Sequence, residues 1–313
     1  MITLLIGLAA AFLSEHYHTP VMLFSLLLGM AFNYLSDDPK MAPGLEFAST
    51  SILRLGVALL AARITISQLT TLGWQPLAIV FVMVVSVLLL GVVLGRVFKL
   101  PHQLGLLTGG AVAICGASAT IAITAALPKK YRNDKAVALT IIGITVLSSL
   151  AMIIYPLIAA VLGLDSNQAG FFLGASIHDV AQVVGAGYSV SHEAGDVATI
   201  IKLFRVALLV PIVCAVAILM RDKKNGIESG PMFPPFLIAF VLIVLANSAN
   251  WIPPMVIDVV NEVSRWTLVF AIGAIGTRTA LRDISKLGFA PLMLLLTETV
   301  VLLLASVVVA MWV

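Results

Sequence analysis

Residues 104–127 read LGLLTGGAVAICGASATIAITAAL, and residues 169–190 read AGFFLGASIHDVAQVVGAGYSV. Both stretches are apolar enough for a membrane interior, yet both are dense in glycine, alanine and serine. The second also carries His178, Asp179 and Gln182. Glycine-rich, polar-bearing sequence among Leu- and Val-rich neighbours points to backbone that leaves a continuous helix. At membrane depth such backbone is tolerated only when it is buried in protein or lines a watery cavity. The competing explanation is close helix packing through small-xxx-small faces, such as Gly105-xxx-Gly109. The buried polar cluster favours an interruption in each stretch.

The rest of the chain supplies the frame. It has 313 residues, of which 61% are apolar and 11% charged, with a mean hydropathy of +1.12. Soluble chains carry roughly 25% charged residues, so this one cannot cover a water-facing surface. A membrane helix needs about 20 mostly apolar residues. Apolar stretches fall at 1–14, 20–35, 45–62, 75–98, 104–127, 136–164, 169–190, 196–220, 233–250, 255–277 and 288–312. The expected fold class is an all-α polytopic membrane protein of about 9–11 transmembrane segments. Two of them, 104–127 and 169–190, are interrupted or re-entrant. Residues 1–313 form one membrane domain, with core elements around 104–220 and scaffold elements in 1–98 and 233–312. Residues 1–13 lack a basic n-region and read as a membrane segment rather than a cleaved signal.

Charge placement bears on topology. If all eleven segments cross, Lys129, Lys130, Arg132 and Lys135 face the side opposite to Arg96, Lys99, Arg221, Lys223 and Lys224. That fits the positive-inside rule poorly. If 104–127 and 169–190 each dip in and return, loops 96–103, 128–135, 221–224 and 278–286 share one face. Asp165, Glu193 and Asp196 then share the other, and nine crossings remain. Broken helices that cross stay open as the alternative. Weak internal matches also suggest inverted repeats. A 65-residue shift aligns Gln103, Gly105 and Gly109 with Gln168, Gly170 and Gly174, and a 215-residue shift aligns Arg63, Leu72, Gly73, Pro76 and Leu77 with Arg278, Leu287, Gly288, Pro291 and Leu292. Inverted repeats with broken helices are a carrier signature.

Ionisable groups inside spans are costly and mark function by default. Lys202 and Arg205 lie three apart on one helix face, where they need an anion, a paired acid such as Asp179 or Glu298, or a route to the interface. His178 and Gln182 lie four apart and suit an oxyanion or a proton relay, or a structural bridge at a helix break. Cys115, Gly116, Ala117 and Ser118 offer backbone amides and a hydroxyl if the helix opens there, because a half-helix N-terminus favours an anion. The candidate substrate-binding residues are therefore Cys115, Gly116, Ala117, Ser118, His178, Gln182, Lys202 and Arg205, and the coupling candidates are His178, Asp179 and Glu298. Arg54 and Glu298 each fit an ion pair, Arg63 and Arg278 fit interfacial anchoring, and Asp258, Glu262 and Arg265 suggest an interface without chemistry.

Exclusions narrow the function. The net charge of +3 and short basic loops do not suit nucleic acid. No Walker-A sequence, GxGxxG, HExxH or Cys/His metal spacing occurs, and Cys115 and Cys214 lie in apolar runs. No cofactor or metal is expected, and without a Walker-A sequence an ion or substrate gradient must drive any transport. A serine-hydrolase dyad of Ser118 and His178 needs hydrogen-bond reach between them and has no other support.

The stretches CGASATIAITAALP, GASIHDVAQVVGAG and AGDVATIIKLFRVALLVP resemble the YeiH-type family of bacterial inner-membrane proteins named as sulfate exporters, and LLGMAFN and RTALRDISKLG extend the likeness over nearly the whole chain. The resemblance implies membership of the cation:proton antiporter and anion transporter superfamily, with inverted repeats and an elevator-like or rocking motion of a core against a scaffold. The expected function is secondary-active export of a small anion, sulfate or sulfite, with a proton or sodium ion as coupling partner. The alternatives are a proton- or sodium-coupled carrier of organic acids or sulfur-containing amino acids, and a non-transport component of a holin-like or envelope complex. Expected partners also include the lipid bilayer and, as is common in such folds, a second copy of the chain.

Overall fold

A computed structural model describes residues 1–17, 21–63, 66, 73–128, 131–220, 235–279 and 288–312. Among them the structure is almost wholly helical, with no strand. The helices are α1 (Ile2–Tyr17), α2 (Val21–Ala31), α3 (Ala42–Phe47), α4 (Leu53–Leu60), α5 (Trp74–Val97), α6 (His102–Gly110), α7 (Ala117–Ala126) and α8 (Asp134–Val161), followed by α9 (Ser166–Ser176), α10 (Val180–Val190), α11 (His192–Ala207), α12 (Leu209–Leu219), α13 (Pro235–Ser248), α14 (Pro254–Arg278) and α15 (Phe289–Ala310). Four helical stretches are long and apolar enough to cross a membrane: Trp74–Val97, Ala136–Val161, His192–Leu219 and Phe289–Ala310. The other apolar helices are shorter or, like α14, carry several charges.

Both glycine-rich stretches are interrupted, and both double back. In the first, α6 runs into a π-helical turn, Ala111–Cys115. Gly116 then takes φ +61° and ψ −123°, a region that disfavours any side chain. Leu104 and Leu107 of α6 share one cluster with Ile123 and Leu127 at the far end of α7, so the two arms lie side by side. In the second, Ile177–Asp179 separate α9 from α10. Its arms close at the base, where the hydroxyls of Ser166 and Ser191 are 2.9 Å apart and Asn167 donates to Glu193 at 3.1 Å. Asp165 and Gln168 form a capping box at the start of α9.

The two hairpins enter from opposite ends. The stretch α11–α12 begins at Ser191, the base of the second hairpin. It ends beside the base of the first, where Val216 clusters with Leu104, Leu127 and Ala136. At about 1.5 Å per residue those bases are roughly 35 Å apart, about the thickness of a membrane. Charge segregates accordingly. Arg96, Lys99 and Arg132 lie at the base of the first hairpin, and Asp165, Glu193 and Asp196 at the base of the second. Lys129, Lys130, Arg221, Lys223, Lys224, Leu72 and 280–287 lie outside the described residues, as do the side chains of Arg63 and Lys135.

Small residues explain the closeness of the packing. A Cβ on Gly105 would strike the carbonyl of Gly91 in α5, and one on Gly170 would meet Ala194 and Val197 in α11, as one on Gly174 would meet Ala198 and Ile201. The glycines aligned by the 65-residue shift thus do the same work, each seating the first arm of a hairpin on a neighbouring helix. Close packing and interruption both hold, at different glycines.

By contact the helices fall into two groups. One gathers both hairpins with α5, α8, α11, α12 and α15. The other gathers α1–α4, α13 and α14, and the two meet chiefly where α10 faces α2 and α14. This grouping sets α5 and α15 beside the hairpins, although the expected core ended at 104 and 220. The segment read as continuous over 45–62 is divided by a π-helical turn, Ala48–Ile52. Ser49 and Thr50 donate their hydroxyls to the carbonyl of Glu46 at 3.2 and 2.7 Å, competing with the helix's own amides.

Candidate functional site

The hairpin tips meet at Lys202 and Arg205 of α11, both buried from solvent. Lys202 Nζ donates to the carbonyls of Ile114 at 2.6 Å and Ile177 at 3.1 Å, and also to that of His178. Arg205 donates to Val112 and Ala113 of the first tip at 2.7 and 2.8 Å. It donates to Gly174, Ala175 and Ile177 of the second at 2.9, 2.7 and 3.0 Å. These carbonyls are the ones a helix leaves unsatisfied where it ends. They form the negative poles of the half-helices α6 and α9. The two cations therefore saturate and neutralise those poles, and pin one hairpin to the other.

That leaves the opposite poles. The first turns of α7 and α10 present amides with no acceptor in their own helix, and both border one cavity of about 310 Å³. Ala117 and Ser118 line it from the first hairpin, and Asp179 and Val180 from the second. Arg54 and Arg278 line it from the other helix group, with Ser49, Thr50 and Thr279 beside them. Arg278 Nη1 donates to Ser49 Oγ at 2.6 Å. Ile141, Ile142, Thr145 and Val146 of α8 add to the wall. They precede Ser148, whose hydroxyl accepts the Asp179 amide at 3.0 Å, so the cavity lies on the basic-end side of the second tip. A smaller cavity of about 170 Å³, whose lining includes Tyr188, Ser189, His192 and Arg265, lies at the far end of α10.

The sequence candidates divide between these places. Gly116 shapes the first tip, Ala117 and Ser118 reach the cavity, and Cys115 is buried behind it. Asp179 reaches the cavity. His178, its immediate neighbour, is buried with Nδ1 3.4 Å from the Val112 carbonyl and Nε2 3.2 Å from Thr299 Oγ1. No hydrogen bond joins it to Ser118. Gln182 is buried, and neither polar atom of its side chain has a hydrogen-bond partner. Glu298 of α15 accepts from Thr108 Oγ1 at 2.9 Å through one oxygen, while the other has no hydrogen bond. Lys202 and Arg205 are at the tips but not on the cavity wall. Arg54 and Arg278 are on that wall, where sequence suggested pairing and anchoring. Their signal was a charge beside serine and threonine in an apolar run, and the structure adds the juxtaposition. Glu262 and Arg265 form an exposed ion pair at 2.8 Å, away from this cavity.

Comparison with known proteins fits this architecture. The family described as Conserved hypothetical protein 698 matches residues 1–295. A UPF0324 membrane protein of Chlorobaculum tepidum is 48% identical over 97% of this chain and 87% of its own length. This chain belongs to the UPF0324 membrane-protein family. Another UPF0324 member, TauZ of Paracoccus denitrificans, is 42% identical over 96% of this chain and 90% of its own length. A third, from Rhizobium meliloti, is 41% identical over 99% and 90%. The resemblance drawn from the two interrupted stretches leads to the same UPF0324 family. No solved structure matches.

Proposed function

We propose that this UPF0324 protein is a secondary-active carrier of a small anion in the bacterial inner membrane, working by alternating access. The observation that carries the reading is the sorting of poles at the hairpin tips. Lys202 and Arg205 cancel the negative ends of α6 and α9, so the cavity faces the positive ends of α7 and α10 with Arg54 and Arg278 across from them. An anion such as sulfate or sulfite suits that field, and the Ser118 hydroxyl gives it a donor.

Alternating access follows from where the cavities lie. The anion cavity occupies the seam between the two helix groups, on the basic-end side of the second tip. By the positive-inside rule that end is cytoplasmic. The body of α10, packed against α2 and α14, closes the path beyond it, and the smaller cavity marks the opposite approach. Movement of the hairpin group along this seam would carry the site from one face to the other.

Asp179 is the coupling group in this scheme, because it is the carboxylate on the cavity wall among the described residues. A proton or sodium ion there would move with the anion. Counterflow of labelled sulfate in proteoliposomes tests the reading. The wild type should exchange sulfate, and Asp179→Asn should keep exchange while losing response to an imposed proton or sodium gradient. Absence of exchange for sulfate, sulfite and short organic acids would refute the carrier. Exchange of organic acids with sulfate inert would favour the organic-acid alternative.

A further inference from the structure

Arg54 and Arg278 belong to the helix group opposite the hairpins, yet both face the hairpins' cavity. The π-helical turn Ala48–Ile52 lies directly before α4, which carries Arg54, and Ser49 and Thr50 in the same turn also line the cavity. Arg278 closes α14 and is held by Ser49 Oγ at 2.6 Å. Arg54 has no hydrogen-bond or ion-pair partner among the described residues, and both arginines are exposed to the cavity. Two guanidinium groups at one cavity are unfavourable without a compensating charge. The carboxylate on the wall, Asp179, forms no ion pair within 4 Å among the described residues.

We propose that Arg54 and Arg278 together form the charge-selecting half of the anion site, which takes a doubly charged oxyanion in preference to a singly charged one of the same shape. This deepens the carrier reading and rests on it. Guanidinium groups offer forked donors that match the edges of an oxyanion. The hairpins hold the ligand through Ser118 and backbone amides, which respond to any oxyanion. The opposite helix group then contributes the two full charges that distinguish a dianion. Binding therefore ties the two groups together across the seam, and the ligand's second charge is sensed by residues that do not travel with the hairpins.

Counterflow of labelled sulfate, with sulfate and methyl sulfate as competitors, tests this directly. Methyl sulfate keeps the tetrahedral head but carries one charge. The wild type should prefer sulfate by at least about tenfold, as charge-assisted bonds of this kind allow. Arg54→Gln and Arg278→Gln should each weaken competition by sulfate at least about tenfold and leave methyl sulfate nearly unchanged, so that the preference collapses. Retained competition by methyl sulfate shows that the variant is folded. Arg54→Lys and Arg278→Lys should restore part of the preference. Wild-type exchange with an unchanged sulfate preference in both Gln variants would overturn the assignment and leave the carrier standing. A wild type that exchanges neither anion would remove both.

Discussion

Two pairs of cations sit within some turns of one another and do opposite things. Lys202 and Arg205 are buried and direct nearly all of their N–H groups at carbonyls of the two hairpin tips. Arg54 and Arg278 face a cavity, and among the described residues only Arg278 is tied, to Ser49. The lesson is that burial of a charge in a membrane protein does not by itself mark a ligand contact. Donors already matched to backbone acceptors have little left for a substrate, whereas a cation aimed into a cavity keeps its capacity. The first pair makes the site by cancelling the wrong pole; the second faces what binds there.

The sharpest way to break that contrast is to remove the buried pair. Arg205→Ala strips five hydrogen bonds from the tips. Each buried carbonyl left unpaired costs roughly 1–3 kcal/mol. The variant should therefore lose folded yield and unfold at markedly lower temperature in detergent, with Lys202→Ala close behind. A stable, monodisperse Arg205→Ala protein with only its anion affinity reduced would turn the pair back into ligand contacts.

Gly116→Ala comes next. The nearest atom to an added Cβ is 3.7 Å away, so the expected penalty is conformational, about 1–3 kcal/mol for the strained φ and ψ. Thermal unfolding should show a moderate loss of stability, and counterflow a larger loss of exchange, since the turn sets the start of α7. Unchanged values in both assays would mean that the tip relaxes freely and that the positive pole need not be fixed.

The smallest effect sharpens the comparison from outside. Arg265→Gln removes the exposed ion pair with Glu262, a kind of contact worth about 0–1 kcal/mol. Arg265 also lines the smaller cavity, so the readout here is stability, which should stay near wild type. A loss as large as that of Arg205→Ala would show that any arginine removal disables the chain and would erase the distinction between the pairs.

Much of this was legible in the sequence, for physical reasons. Interrupted helices announce themselves because membrane backbone cannot open without small residues and polar neighbours, and 104–127 and 169–190 have both. The hairpin topology was legible through charge, since Arg96, Lys99 and Arg132 could not otherwise share a side. The partners of Lys202 and Arg205 were not legible, because backbone carbonyls leave no trace in residue identity. Nor was the role of Arg54 and Arg278, since they are brought to one cavity by the packing of α4 against α14, a contact between distant parts of the chain. Small residues alone do not separate packing from interruption, because glycines serve both ends, Gly105 and Gly174 the first and Gly116 the second.

The central claim is that the break at Gly116 separates a buried half from a cavity-facing half, and that an anion occupies the latter. Single cysteines on either side of it give the most direct test, with Cys214 replaced by alanine. Cys115 is buried and Ser118 lines the cavity. The account predicts that Ser118→Cys reacts readily with a small neutral maleimide in proteoliposomes and is protected by saturating sulfate, while native Cys115 reacts slowly with or without it. Equal reactivity at both positions, or labelling at 118 that no anion slows, would contradict it.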